Sequence, residues 1–289
     1  MRMAFRRFVS KLNGKNKNFF ILSVILICIV AICTGIYIQF FYKYSDTDPL
    51  MLGIRIGAQK TAEEYDILKS KFQNLFTNNI KINSENVRVD KIEPSNDLVY
   101  TVYNLVNEDE NYYSVNAQVP VINIDTPKAK EINKEIKSEF YDKANAVMRQ
   151  TENHTVYTVS YASFVNEHIL SLVVKSSLKE EEKSEKVVVK TYNYSIAEEK
   201  LLSLADLIEL KETNLETIQS IIKSDIKKAY TNAKIIAEEY GTLYERDVNN
   251  PMYKVENSNT FFLTQEGYVY IVYAYGNYDY TNEMDIIIF

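Results

Sequence analysis

His154 and His168 are the only histidines in this 289-residue chain. A general base that works near neutral pH is most often an imidazole, so such chemistry has two places to reside. His154 stands in the turn-like "TENHT", and His168 opens an alternating run. Both positions suit a satisfied structural histidine. No H-E-x-x-H run offers a zinc helix. No G-x-S-x-G elbow presents a serine nucleophile, and "KSSLK" at 175–179 places its serines and lysines on a strand running into a charged turn. The seven glycines form no loop that could cradle phosphate. Glu180-Glu181-Glu182 and Glu238-Glu239 read as solvated charge runs. Two carboxylates flanking a sugar need no fixed spacing, but nothing singles out such a pair. The residues therefore indicate a non-enzymatic chain with no catalytic residue, no cofactor and no metal ligand.

The residue type left to explain is tyrosine. Six of the thirteen residues from Tyr268 to Tyr280 are tyrosine, in a chain without tryptophan. Along 268–275 one face carries Tyr268, Tyr270, Val272 and Ala274, the other Val269, Ile271, Tyr273 and Tyr275. Neither face is polar, which predicts a central strand covered on both sides. The following "GNYDYTNE" is turn-rich and mixes tyrosine with acid, the composition of a protein-binding loop. Tyr275, Tyr278, Asp279, Tyr280 and Glu283 are its candidate contact residues.

Several elements must position that loop. Thr126 or Asp125 caps a helix that begins at Pro127, and Ala129, Ile132, Ile136, Phe140, Ala144 and Val147 form its apolar stripe. "YYSVNAQVPVI", "TVYTVSYASFV", "HILSLVVKSSL" and "KVVVKTYNYSI" alternate as strands. The charged run "KEEEKSEK" at 179–186 reads as an exposed hairpin turn. "LLSLADLI" leads into a long helix over 214–240, followed by three closing strands, "TFFLTQE", "YVYIVYAY" and "MDIIIF". Upstream, 59–78 has helical spacing, 86–92 and 97–105 are strand-like, and 107–111 is a polar turn. Helices interspersed with meanders predict an α+β fold: antiparallel sheet packed with two or three helices.

The N-terminus predicts where that domain is placed. "FFILSVILICIVAICTGIYIQFFY", residues 19–42, carries no charged side chain over 24 residues. As a helix it would rise about 36 Å, enough to cross a hydrocarbon layer of about 30 Å. Six basic residues precede it and no acid occurs before Asp46, which orients the N-terminus to the cytoplasm. No small-residue cleavage site follows, so an uncleaved transmembrane helix is expected. The organisation that follows is a basic cytoplasmic tail (1–18), a single-pass membrane span (19–42), a linker (43–58), a membrane-proximal helix and strands (59–111), and an extracellular domain (112–289). Both cysteines lie in the span, which excludes disulfides and cysteine–zinc sites outside. Residues 1–43 hold seven basic and no acidic side chains, leaving 26 basic against 39 acidic, a net of −13, for the remainder. Nucleic acid is an unsuitable partner for such a surface, and a basic protein a suitable one.

From Tyr112 to Phe289 the chain resembles the extracytoplasmic domain of RsiV-like anti-sigma factors and PdaC-type peptidoglycan deacetylases, a domain family of unknown function. The resemblance rests on "VPVINIDTPKAKEINKEIKSEF", on "YNYSIAEEKLLSLADLIEL" with Asn193, Leu202, Leu204, Asp206 and Leu207, and on "FFLTQEGYVYIVYAY" with Phe262, Leu263, Thr264 and Gly267. It departs from the family at a Gly-Gly-Ala-His turn, replaced by "SLKEEEKSEK", and at a proline-bearing tyrosine loop, here "YGNYDYTNEMD". The resemblance implies a sensing or binding domain of the cell envelope, with lysozyme or peptidoglycan as partner type. Two other readings stand beside it: a degenerate anti-sigma regulator acting through residues 2–18, and an envelope hydrolase using Asp206, Asp279 and Glu283.

Overall fold

Side-chain alternation along the strands decides how this protein is layered. The structure, a computed structural model, describes residues 70, 72, 74–76, 89–94, 97–240 and 243–289, and of 236–240 the backbone alone. All belong to one unit spanning Arg55–Phe289. The expected tail, membrane span and linker lie outside the described residues, as do most of 59–88. Among the described residues no helix is long and apolar enough to cross a membrane.

A six-stranded sheet runs in chain order: β1 (Val99–Asp109), β2 (Tyr113–Ile122), β3 (Thr155–Asn166), β4 (Ile169–Glu180), β5 (Lys186–Ser195) and β6 (Lys200–Leu201). Between β2 and β3 the chain forms α1 (Pro127–Ile136), a π-turn (Lys137–Tyr141) and α2 (Asp142–Val147). Thr126 caps α1, its hydroxyl accepting from the Ala129 amide. This helical excursion carries the chain back to its starting end, so β3 pairs with β2 in parallel, an exception to the antiparallel pattern expected. The other pairs in this sheet are antiparallel. Two upstream expectations are corrected. Residues 89–92 are not strand, and β1 runs through the supposed turn at 107–109. Backbone pairing of Asn107 with Val115 and of Glu108 with Ser114 extends the hairpin, and polar side chains on its solvent face do not oppose it.

Further on come α3 (Leu204–Leu210), α4 (Leu215–Tyr240), two 3₁₀ turns (Pro251–Tyr253 and Val255–Asn257), then β7 (Phe261–Leu263), β8 (Val269–Ala274), a 3₁₀ turn (Tyr275–Asn277) and β9 (Met284–Ile288). The last three strands form an antiparallel sheet ordered β7-β8-β9. Ser203 and Asp206 make a reciprocal capping box on α3, and the Asn214 carboxamide accepts from the Thr217 amide at 2.7 Å at the start of α4.

Four layers result. One face of the large sheet, with Val115, Val159, Leu172 and Tyr192, packs on the stripe Ala129, Ile132, Ile136, Phe140 and Ala144. Its other face over β3–β5 meets the small sheet, where the Phe164 and Phe262 rings stack at 5.6 Å. Phe72 packs against Phe262 in the same layer. The outer face of the small sheet, with Val269, Ile271, Tyr273 and Ile287, lies on Leu207, Ile218, Ile222 and Ile226 of α3 and α4. Every residue of β8 is buried, as expected for a strand covered on both sides. Each fully buried branched or aromatic side chain here contributes about 1.5–3 kcal/mol before the entropy cost of ordering it.

Candidate functional site

Residues 275–283 join β8 to β9, and the fold divides them into inward and outward parts. Tyr275 does not lie on the surface. It follows β8 directly, continues the strand's face that looks onto α4, and is fully buried. Its hydroxyl donates to Asp285 Oδ2 at 2.5 Å. A phenol carries one proton, so Tyr253, whose hydroxyl sits 2.9 Å away, must be the donor in their contact. Burial first, and then the Asp285 carboxylate, push the Tyr275 phenol far above its ordinary range. It is therefore a permanent donor and not an acid.

Arg246 completes this cluster, and no sequence expectation included it. Its Nε donates to Asp285 Oδ2 at 2.6 Å, its Nη1 to the Tyr244 carbonyl at 2.8 Å, and its Nη2 lies 3.0 Å from Glu283 Oε2. The guanidinium also sits 4.8 Å from the Tyr275 ring, which stacks on Tyr244 at 4.2 Å. Only 4% of the Arg246 side chain and 5% of the Asp285 side chain are exposed. The second oxygen of Glu283 accepts from the Tyr244 amide at 2.7 Å. A buried cation between two carboxylates, with Nε, Nη1 and Nη2 each bonded, is a geometry that lysine cannot supply.

Between these anchors the loop turns outward. Tyr278 is 66% exposed and Tyr280 37% exposed. Asp279 is exposed too, and its carboxylate accepts from the Tyr280 amide at 2.7 Å. The Tyr280 hydroxyl donates to Glu180 Oε2 at 2.7 Å, and the Lys183 and Lys186 ammonium groups lie 5.2 and 5.3 Å from its ring. Asn282 reaches Glu185 at 3.3 Å. The charged β4–β5 turn and the tyrosine loop, about 100 residues apart in sequence, are thus one surface. Hydrogen bonds from Lys183 first and Tyr280 second hold the Glu180 carboxyl below its ordinary range.

The loop is also fixed from beneath. The Val187 amide donates to the Thr281 carbonyl at 3.0 Å, while the Asn277 carboxamide accepts from the Val189 amide at 3.0 Å and donates to its carbonyl at 3.1 Å. Loop and side chain together act as a partner strand on the open edge of β5. Gly276 permits this approach. A Cβ there would lie 1.9 Å from the Val187 carbonyl oxygen.

The residues that carry the family resemblance have structural roles of the same kind. The Asn193 side chain, 2% exposed, accepts from the Ser171 hydroxyl at 2.7 Å and donates to the Phe261 carbonyl at 2.6 Å, tying β7 onto the large sheet. Asn133 exchanges two hydrogen bonds with the Ile122 backbone at the end of β2. Asp206 is a helix cap, and Thr264 accepts from the Tyr268 amide in the β7–β8 turn. Asp206, Asp279 and Glu283 do not converge: the first caps α3, the second is on the loop, and the third is ion-paired to Arg246. Among the described residues no group of three or more His, Cys, Asp or Glu is placed to hold a metal ion.

No protein-family model matches the chain, and no curated protein does. Among solved structures it is similar to a DUF3298 family protein from Pseudomonas aeruginosa, with 14% identity, a TM-score of 0.36, and coverage of 63% of this chain and 83% of that one. It is also similar to a DUF3298 family member from Bacteroides fragilis, with 10% identity, a TM-score of 0.29, and coverage of 56% and 74%. Both neighbours are members of a domain family of unknown function.

Proposed function

We propose that this chain is a non-catalytic binding or sensing protein of the bacterial cell envelope. In this reading residues 19–42 anchor it as a single pass and the remainder lies outside the cell. Its partner is a basic protein of the lysozyme kind, taken at the face formed by the 278–282 loop and the 180–185 turn. One observation carries the reading: Tyr278 and Tyr280 stand exposed around Asp279, and the charged 180–185 turn is joined to them through Glu180 and Glu185, with Lys183 and Lys186 beside the Tyr280 ring, on a backbone fixed from below. An exposed ring next to a carboxylate, as at Tyr278 and Asp279, suits a partner's lysine or arginine, which can lie on the ring while its charge meets the acid. The net of −13 beyond residue 43 steers such a partner towards the surface.

Calorimetric titration of the full chain in mild detergent with hen lysozyme tests this. Binding is expected at low salt. It should weaken as screening shortens from about 10 Å at 0.1 M to about 3 Å at 1 M ionic strength. Tyr278→Ala is expected to weaken it at least tenfold, and Glu181→Lys with Glu182→Lys to act through the association rate. No heat at low salt would overturn the basic-protein reading, and the same titration with soluble peptidoglycan fragments would then decide for the other envelope ligand.

A further inference from the structure

We infer that Arg246 is a positioning residue for the 276–282 loop: from inside the core it sets the conformation in which the loop meets its partner. For the partner this inference rests on the proposed function; for the loop it stands alone. The loop leaves the sheet after Tyr275 and returns at Glu283, and both ends are held by the same charged cluster. Tyr275 donates to Asp285 at 2.5 Å, and Asp285 is paired with Arg246 at 2.6 Å. Glu283 is paired with Arg246 at 3.0 Å and with the Tyr244 amide at 2.7 Å. The seven residues between are therefore closed at their base by a single guanidinium.

Arg246 itself cannot touch a partner, being 4% exposed. Its effect on binding must pass through the loop. A loop already ordered in its bound form gives up less conformational freedom on association, so loosening its base weakens binding without removing a contact. The coupling is reciprocal. A partner that favours the closed loop also favours the Glu283–Tyr244 contact in the segment that follows α4.

The test uses the full chain in detergent, Arg246→Lys and Glu283→Gln, with amide hydrogen exchange as the first readout. Lysine keeps a cation for Asp285 but cannot also reach Glu283 and the Tyr244 carbonyl. In Arg246→Lys the amides of Val187, Val189, Tyr278 and Asp279 are expected to exchange at least tenfold faster. Those of Ile271 and Val272 in β8 should stay within threefold of wild type. Glu283→Gln, which leaves the Arg246–Asp285 pair intact, should accelerate the same amides to a smaller degree. The second readout is lysozyme: affinity falls at least tenfold in Arg246→Lys, and saturating lysozyme slows exchange of the Tyr244 amide in the wild-type chain and not in the variant. Unchanged loop exchange in both variants would overturn the inference, as would uniform acceleration through β8 and β9, the mark of plain destabilisation. If the wild-type chain fails to bind lysozyme, the proposed function falls, while the exchange pattern still decides the role of Arg246.

Discussion

Replacing Gly276 with alanine adds one methyl group at the tightest point of the structure. The added carbon would stand 1.9 Å from the Val187 carbonyl oxygen, 2.7 Å from its carbon and 2.7 Å from the Thr281 carbonyl oxygen. All three are backbone atoms, two on β5 and one in the loop itself, so no side chain can swing away to make room. Either the turn or β5 must move. Moving the turn breaks three hydrogen bonds, Val187 to Thr281 and the pair between Asn277 and Val189. At about 1 kcal/mol each they amount to about 3 kcal/mol. Overpacking adds about 1–3 kcal/mol. A loss of about 4–6 kcal/mol is a large share of a total of about 5–15 kcal/mol and should lower the melting temperature by about 10 °C or more. Thermal unfolding of the full chain, followed by circular dichroism, measures this. Gly267→Ala is the control. Gly267 has φ +91°, and its new Cβ would meet two side-chain atoms, the movable Lys211 ammonium at 2.8 Å and Asn166 Nδ2 at an ordinary contact distance of 3.7 Å. It should cost about 1 kcal/mol through backbone strain alone. If Gly276→Ala melts within about 2 °C of wild type, the close docking of the loop on β5 is not the constraint described above.

Two further outcomes follow from buried or paired polar groups. Asn193→Ala leaves the Phe261 carbonyl and the Ser171 hydroxyl without their partner in the inter-sheet layer. It should cost about 3 kcal/mol, or about 1 M in the urea midpoint, as measured by equilibrium unfolding. Tyr280→Phe removes one of the two hydrogen bonds that favour ionised Glu180, so the Glu180 pKa should rise towards its ordinary value in a carboxyl NMR titration. The sign for stability follows from the depressed folded-state value. The Glu180 contribution is present above the unfolded-state pKa and is lost as pH falls through the folded one, so acid should separate wild type from Tyr280→Phe less than neutral pH does.

The strands were legible because burial imposes a period of two. The alternation of Val269, Ile271, Tyr273 and Tyr275 placed one face of β8 in the core, and the structure puts these four on α3 and α4. The same alternation argues against Tyr275 as a surface contact; its loop composition obscured a position that the strand period had already assigned. The parallel pairing of β2 with β3 was not legible, since each strand alternates identically whichever direction its neighbour runs. Arg246 left a weaker trace. Beyond residue 43 the chain has 22 lysines and four arginines, Arg55, Arg88, Arg149 and Arg246. An arginine in a chain that otherwise prefers lysine suggests a fork geometry that lysine cannot replace. Its partners, Glu283 and Asp285, lie 37 and 39 positions away, a distance over which no local period carries information.

The resemblance and the site answer different questions, and the hydrogen bonds show why. Asn133, Asn193 and Asn277 each place a side-chain carboxamide against backbone groups that a strand would otherwise satisfy, at the end of β2, between the sheets and along the β5 edge. A carboxamide offers one donor and one acceptor at the spacing of a peptide group, so it can close a sheet where no further strand fits. Losing such a side chain leaves a buried backbone group without a partner, at a cost of about 1–3 kcal/mol. These carboxamides therefore report the fold, and they would stand in the same pattern whether the molecule bound a protein, a glycan or nothing. The side chains that face solvent are on the outward side of the same loops, Tyr278, Asp279, Tyr280 and Asn282 on one and Glu181 to Ser184 on the other. The fold brings that turn and that loop together. A partner of the proposed kind is to be sought there, at the charge and rings they present.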